Sequence, residues 1–213
     1  MLACITLCLL LSKMTIAGIS DAHLPAYRHI KSFPMGDAQV TFCEAIPGRT
    51  AAHHALRKRG LDAGPPGPSS NSNSNPTLPT RSEPLDLTPA KCTSITCNPG
   101  TFQKPDLQDC EKVIQAQLYN STGSLSAAPG TYVFVSYGTC ATVFQNPEES
   151  SYPLQYNWAE LGAQAGKIAG KCLLEEDKSM GGSCIFKKYL QYTFDDVMIS
   201  LQRFDDRDIE MPR

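Results

Sequence analysis

Acidic side chains occur in four short runs, and paired carboxylates are the groups that a glycoside hydrolase uses. The runs are Glu148-Glu149, Glu175-Glu176-Asp177, Asp195-Asp196 and Asp205-Asp206. Such an enzyme holds its two carboxyl groups about 5–9.5 Å apart across a cleft. Neighbours within one acidic turn rarely face each other in that way, and a solvated turn explains each run. A small carboxylate-dependent hydrolase is therefore the least favoured of three functions.

Histidines are confined to the start of the chain. All of them precede residue 60, and they are His23, His29, His53 and His54. From Gly60 onward there are 12 Lys and Arg against 18 Asp and Glu. A Ser-His-Asp or Cys-His nucleophile, a histidine base and a histidine-bound metal all need a histidine, which this part of the chain lacks. If the working protein begins there, we expect no catalytic residues, no metal and no cofactor. The acidic balance also argues against a nucleic-acid partner.

The first sixty residues carry targeting and processing signals. Residues 1–12 are almost wholly apolar, too short to span a bilayer, and small residues follow, so residues 1–20 are predicted to be a secretory signal peptide. Lys58-Arg59 suits a kexin-type processing protease, which makes residues 21–59 a predicted pro-segment. A cut there would remove the unpaired Cys43 and leave an even number of cysteines. We expect a secreted, extracellular protein, and whether the cut occurs stays open.

Beyond the dibasic site the composition divides the chain into three parts. Residues 60–90 are rich in Pro, Ser and Asn and have too little apolar surface to fold, so they are predicted to be a disordered linker. Residues 91–203 have the mixed composition of a folded domain. Residues 204–213 alternate acidic and basic side chains, and we expect a solvated, charged tail.

Six cysteines lie in the predicted domain, and they are Cys92, Cys97, Cys110, Cys140, Cys172 and Cys184. No two of them form a C-x-x-C pair, which argues against a zinc ribbon or a thioredoxin-like redox site. Behind a secretory signal, they predict three disulfides, each stabilising the domain by about 2–4 kcal/mol. Fifteen pairings are possible, and the sequence does not choose among them.

Hydrophobic spacing predicts two helices among several strands. One helix begins near Pro105 and ends near Asn120, and the other begins at Asn157, with Glu160 placed to complete a capping box. Its glycines form a small-residue face that suits close approach to a sheet. Strands are predicted at 92–97, 131–144, 183–193 and 197–201, and Gly138 is either a turn or a bulge in the second. The order predicts an α+β fold in which two helices pack on one face of a mainly antiparallel four- to five-stranded sheet, a split βαβ or ferredoxin-like plan stapled by disulfides.

Two surface features could take part in modification or recognition. Asn120-Ser121-Thr122 is a glycosylation sequon placed just after a helix, where an exposed turn is expected. Tyr152 and Tyr156 lie in the proline-flanked loop 146–156, outside the obvious core pattern. Because binding residues are concentrated on loops, we predict this loop as the recognition surface.

The cysteine framework resembles that of a known group of secreted fungal proteins. Asp109-Cys110 opens a helix, Tyr137-Gly138-Thr139-Cys140-Ala141 follows, and Gly181-Gly182-Ser183-Cys184 comes after Cys172. This arrangement is similar to small secreted effectors of the necrosis-inducing-factor type and to the killer-toxin subunits of smut fungi. The resemblance implies a fungal origin, the killer-toxin-like α/β fold, and action by binding or membrane disturbance rather than catalysis. It carries over no catalytic residues.

The leading hypothesis is thus a secreted, non-enzymatic effector or toxin-like protein that acts on an unidentified host or competitor target. That target could be a protein, a glycan or a membrane. The alternative is a wall-associated protein that binds glycans.

Overall fold

The computed structural model describes residues 26–46, 83–99 and 103–211. The strands within these ranges are β1 (Tyr27–Met35), β2 (Ala38–Ala45), β3 (Leu85–Asp86), β4 (Ile95–Pro99), β5 (Ser124–Ala127), β6 (Thr131–Tyr137), β7 (Cys140–Asn146), β8 (Leu154–Asn157), β9 (Ser179–Ile185), β10 (Lys188–Tyr189), β11 (Tyr192–Thr193), β12 (Met198–Arg203) and β13 (Ile209–Glu210). The α-helices are α1 (Leu107–Tyr119) and α2 (Trp158–Ala169). A π-helical turn, Gly170–Glu175, continues α2, and a short 3₁₀ helix, Asp206–Asp208, precedes β13.

The prediction of a four- to five-stranded sheet is wrong. The main sheet has eight strands in the order β13-β1-β2-β6-β7-β12-β9-β4, and all its pairs are antiparallel except β1 with β13. A three-stranded sheet, β3-β8-β5, and the β10-β11 hairpin add to it. The difference arises because an N-terminal hairpin extends the sheet beyond β6 and because short strands form where loops were expected. The described part of the protein is therefore mostly β.

The N-terminal hairpin β1-β2 lies in the range that the sequence assigns to a pro-segment. Met35 pairs with Ala38 across a two-residue turn, Gly36-Asp37, and Gly36 has a positive φ of 58°. Glycine is the residue that type II′ hairpin turns require at this position. Val40 and Phe42 then point into the main core. Residues 58 and 59, the predicted processing site, lie outside the described residues, as do the signal peptide and the linker up to residue 82.

Both α-helices lie against the core face of the main sheet and are capped by side chains. Asp106 accepts a hydrogen bond from the backbone of Gln108, and Asn157 accepts from Ala159 and Glu160. The predicted Asn157 cap is thus confirmed. Its backbone N–H donates to the Thr88 hydroxyl, so a distant threonine takes the place that a capping box gives to Glu160.

The glycines of α2 bring this helix close to α1. A Cβ on Gly162 would lie 2.9 Å from Cβ of Gln117 and 3.1 Å from the carbonyl oxygen of Ile114. The expectation that the small-residue face contacts a sheet is therefore wrong for this glycine. Its hydrogen atom is what allows the two helices to approach each other.

The opposite face of the sheet has a second, smaller cluster that includes Cys43, Phe134 and Ile209, with Phe204 packed against it. Phe204 and Ile209 belong to the segment predicted to be a solvated tail. That prediction fails for residues 204–211, because β13 pairs with the start of β1 and the two apolar side chains contact the sheet. The linker prediction fails in the same way at its end, where β3 forms and Leu87 is fully buried.

The predicted three disulfides are confirmed, and they pair Cys92 with Cys184, Cys97 with Cys172 and Cys110 with Cys140. The Cys92–Cys184 bond links the segment before β4 to β9, and the Cys97–Cys172 bond links β4 to the π-helical turn. Gly182 permits this, because a Cβ there would lie 2.5 Å from the sulfur of Cys172. Cys43 belongs to no disulfide and is buried.

The third disulfide belongs to a unit that explains the Asp-Cys and Tyr-Gly-Thr-Cys motifs. Gly138 resolves as the turn between β6 and β7, with a φ of 52°. Thr139 donates to Oδ2 of Asp109 from its backbone nitrogen (2.7 Å) and its hydroxyl (2.8 Å). The same hydroxyl accepts a hydrogen bond from the backbone of Asp106. The start of α1 is therefore fixed to the β6-β7 turn next to the Cys110–Cys140 bond.

Candidate recognition surface

The two predicted recognition tyrosines have different environments. Tyr152 is 37 % exposed, whereas Tyr156 is fully buried. The ring of Tyr156 stacks on Phe144 and meets Phe186 edge-on, and its hydroxyl donates to the carbonyl oxygen of Ala90 at 2.7 Å. Burial, the largest cause, raises the pKa of Tyr156 well above its usual range. Tyr156 is thus a core residue, because the second half of the loop is strand β8 and its alternation turns this side chain inward.

Tyr152 forms a surface together with a hairpin that the sequence did not predict. The expected strand at 183–193 ends at Ile185, and residues 188–193 form the separate hairpin β10-β11. The ring of Tyr192 in this hairpin lies 5.4 Å from that of Tyr152, at 76°, an edge-to-face pair. Edge-to-face aromatic pairs attract each other, so each ring stabilises the position of the other.

A shallow depression beside these rings carries carboxylates from two of the acidic runs. Its volume is about 40 Å³, and its lining includes Glu149, Tyr152, Thr193 and Asp195. Because substrate pockets usually enclose about 300–1,000 Å³, this depression is too small to enclose a substrate. Carboxylates accept hydrogen bonds, so the surface suits a partner that presents hydroxyl or amine donors beside an apolar face. We call Glu149, Tyr152, Tyr192, Thr193 and Asp195 the tyrosine surface.

Buried polar contacts fix the loop that carries Tyr152. Nδ2 of Asn146 donates to the carbonyl oxygens of Ala127 (2.9 Å) and Tyr152 (3.0 Å). On the hairpin side, the hydroxyl of Tyr189 donates to the carbonyl oxygen of Thr88 at 3.0 Å. The loop and the hairpin are therefore each tied to neighbouring elements, which positions the tyrosine surface before any partner arrives.

The tip of the same hairpin contains an exposed leucine in an unfavourable backbone conformation. Leu190 has a φ of 53°, and its side chain is 66 % exposed. For a leucine this left-handed conformation costs about 1–2 kcal/mol. Backbone strain of this kind is concentrated at functional sites. An apolar side chain held in solvent at that cost is consistent with a contact point for a partner.

A second concave region lies on the helices. This groove of about 400 Å³ is mostly apolar, and its lining includes Leu107, Ile114, Ala169 and Leu174. Leu107 and Leu174 are 47 % and 66 % exposed. Glu111 is the only carboxylate in its lining. Nε2 of Gln115, also in the lining, donates to Oε1 of Glu111 at 2.9 Å. The groove therefore offers mainly apolar contact area with one polar pair.

One histidine does join the described fold. Nε2 of His29 and the hydroxyl of Ser32 lie 3.2 Å apart on β1, an exposed stretch of strand. A nucleophilic hydroxyl also needs donors aimed at the developing oxyanion, and neither concave region described above includes this pair. Within residues 26–46, 83–99 and 103–211, no group of three or more His, Cys, Asp or Glu side chains is placed to hold a metal ion.

The predicted glycosylation sequon lies where α1 ends. Asn120 is the C-terminal cap of the helix, and Ser121 and Thr122 form an exposed turn after it.

Among the described helices, none is both long and apolar enough to cross a bilayer. Comparison of the chain with known protein families, curated proteins and solved structures finds no match.

Proposed function

We propose that the protein is a secreted, non-enzymatic fungal effector or toxin-like protein that acts on a host or competitor by binding or membrane disturbance. The three disulfides support the secreted part of this proposal, because such bonds form and persist outside the reducing cytosol. The tyrosine surface is the observation that carries the binding part. It combines an edge-to-face aromatic pair with two carboxylate acceptors, and the strained apolar tip at Leu190 belongs to the same hairpin as Tyr192.

The direct test applies purified, secreted full-length protein to plant tissue and to competing fungi. We expect a tissue response or growth inhibition, and we expect reduction followed by alkylation to abolish it. Tyr152→Ala should lower the potency at least tenfold, the range of a hot-spot side chain. Tyr119→Ala is the matched control, because Tyr119 is 86 % exposed at the end of α1. Equal potency of both variants, or no response of any cell, would refute the proposal.

The alternative function, a wall-associated glycan-binding protein, is favoured by the chemistry of the same surface. Sugar hydroxyls donate to carboxylates such as Glu149 and Asp195, and the apolar faces of sugar rings pack on tyrosines. It predicts retention on chitin or β-glucan beads that Tyr152→Ala weakens and Tyr119→Ala leaves unchanged. Passage of the wild-type protein through every polysaccharide column would exclude this alternative. Release of dye from lipid vesicles would instead identify membrane disturbance.

A further inference from the structure

The N-terminal hairpin is built into the sheet rather than laid upon it. β2 pairs with β6 from Gln39↔Ser136 to Glu44↔Thr131, and on its other side it pairs with β1. Val40 and Phe42 belong to the main core, at 0 % and 5 % exposure. Cys43, fully buried, belongs to the cluster on the opposite face. Both faces of the sheet thus depend on the same strand.

Further contacts join the hairpin to three other elements. Phe33 meets the ring of Trp158 in α2 edge-on, with 6.5 Å between centroids. Asp37 forms an ion pair with Lys112 of α1 at 3.3 Å. At the other end of the hairpin, the backbone of Ala26 donates to Asp208, just before β13. The hairpin is therefore held at both of its ends as well as along β2.

Every one of these contacts is non-covalent. The three disulfides join cysteines between Cys92 and Cys184, and Cys43 is the single cysteine of the hairpin. A cut anywhere in residues 47–82 would consequently leave two chains with no covalent bond between them. The kexin-type site predicted at Lys58-Arg59 falls within this stretch.

We propose that residues 26–46 are a permanent subunit of the folded protein, so that processing between residues 47 and 82 yields a non-covalent two-chain protein instead of releasing a pro-segment. The strand that pairs with this edge of β6 is thus β2 of the protein's own hairpin. Loss of the hairpin would uncover β6, whose first six residues are all buried. An uncovered apolar edge strand pairs readily with other chains, so retention also prevents self-association. This inference does not depend on what the tyrosine surface binds.

The test uses the full secreted chain with a recognition sequence for a specific protease inserted between Ser74 and Asn75. The same chain with a scrambled insert is the uncut control. After cleavage, verified by intact mass, we expect both chains to elute together in native size-exclusion chromatography at the mass of the uncut control. In guanidinium without reductant they should separate. Elution of the larger chain alone under native conditions, with the small chain apart from it, would overturn the proposal.

Cys43 supplies a second measurement that does not rely on chromatography. Because it is fully buried, a thiol reagent should leave it unmodified in the cut, native protein and modify it once guanidinium is added. Peptide mapping by mass spectrometry assigns the modified residue. Modification at the same rate in cut native protein and in guanidinium would show that the hairpin leaves, and would overturn the proposal.

Variants of β2 measure how the small chain is held. In the cut protein, Phe42→Ala should raise the dissociation constant by about a hundredfold or more, since burial of a phenylalanine is worth several kcal/mol. Gln39→Ala is the matched control on the same strand, and its exposed side chain should change the constant by about twofold or less. Equal constants for the two variants would contradict the embedded strand. If the Phe42 variant does not fold, exchange of labelled wild-type 26–46 peptide into the cut protein replaces this measurement.

Discussion

Replacement of Leu190 by glycine should stabilise the fold and weaken the function. The left-handed φ of 53° costs a leucine about 1–2 kcal/mol. Glycine removes that cost but loses about 0.5–1 kcal/mol through the greater freedom of the unfolded chain. The side chain is 66 % exposed, so little packing is lost. The net expectation is a gain of about 0.5–1 kcal/mol, or roughly 1–4 °C in melting temperature.

The protein contains its own reference for this turn. Gly36-Asp37 and Leu190-Gln191 are both two-residue hairpin connections whose first central residue has a positive φ. In the first hairpin this residue is the expected glycine, and in the second it is a leucine. The reciprocal variant Gly36→Leu should therefore destabilise the protein by about 0.5–1 kcal/mol, because the left-handed conformation costs a leucine more than the unfolded chain loses in freedom.

Urea unfolding followed by the fluorescence of Trp158 measures both variants. Trp158 is the only tryptophan of the chain and is 3 % exposed, so its emission should change when the core opens. The tissue-response assay then gives the potency of Leu190→Gly. If the free energy of unfolding of Leu190→Gly is lower than that of the wild type by 1 kcal/mol or more, the strained-turn argument is refuted. A stabilised variant with full potency would remove the hairpin tip from the functional surface.

Three further predictions concern the framework. Gly182→Ala should destabilise the protein by about 1–3 kcal/mol in chemical denaturation, because the added Cβ meets a disulfide sulfur. Gly170→Ala should not destabilise it, because there is open space around Gly170. Equal effects of the two variants would contradict the close approach at Gly182. Asp109→Ala removes the acceptor of two hydrogen bonds from Thr139 and should lower the melting temperature by about 4–10 °C, and an unchanged value would show that the turn holds without it. Burial raises the pKa of the Cys43 thiol from 9.0 to about 12, so its contribution to the free energy of unfolding is complete below pH 9 and is lost toward pH 12 at about 1.4 kcal/mol per pH unit. Cys43→Ala should reduce the slope of unfolding free energy against pH to that caused by the buried tyrosines. Parallel slopes for the wild type and this variant would refute the prediction.

Local patterns in the sequence predicted local features well. Asn157 was identifiable as a cap because a helix start needs an acceptor for its first N–H groups. Six cysteines behind a secretory signal predicted three disulfides. Their pairing was beyond the sequence, because it depends on β4 lying beside β9 in the sheet. That neighbourhood joins residues about ninety positions apart, and no local spacing records it.

The missed hairpin had a readable signal. Gly36-Asp37 lies between two short runs with apolar residues, the pattern of a two-residue β-hairpin turn. The dibasic pair Lys58-Arg59 indicates processing, and it carries no information about whether the segment before it folds. A protease site tells where a chain can be cut. It does not tell whether the pieces separate, which depends on how much surface they bury together.

The candidate surface was half predictable for a similar reason. Tyr152 could be found because it lies in a polar loop, but its partner Tyr192 lies forty residues later in a stretch with the composition of a single strand. The hairpin turn in that stretch begins at Leu190, and leucine is a residue type that does not signal a turn. If folding alone determined the sequence here, glycine or asparagine would be the expected residue. The departure from turn chemistry therefore hid the hairpin from sequence reasoning, and it is the feature on which the proposed binding role of this tip rests.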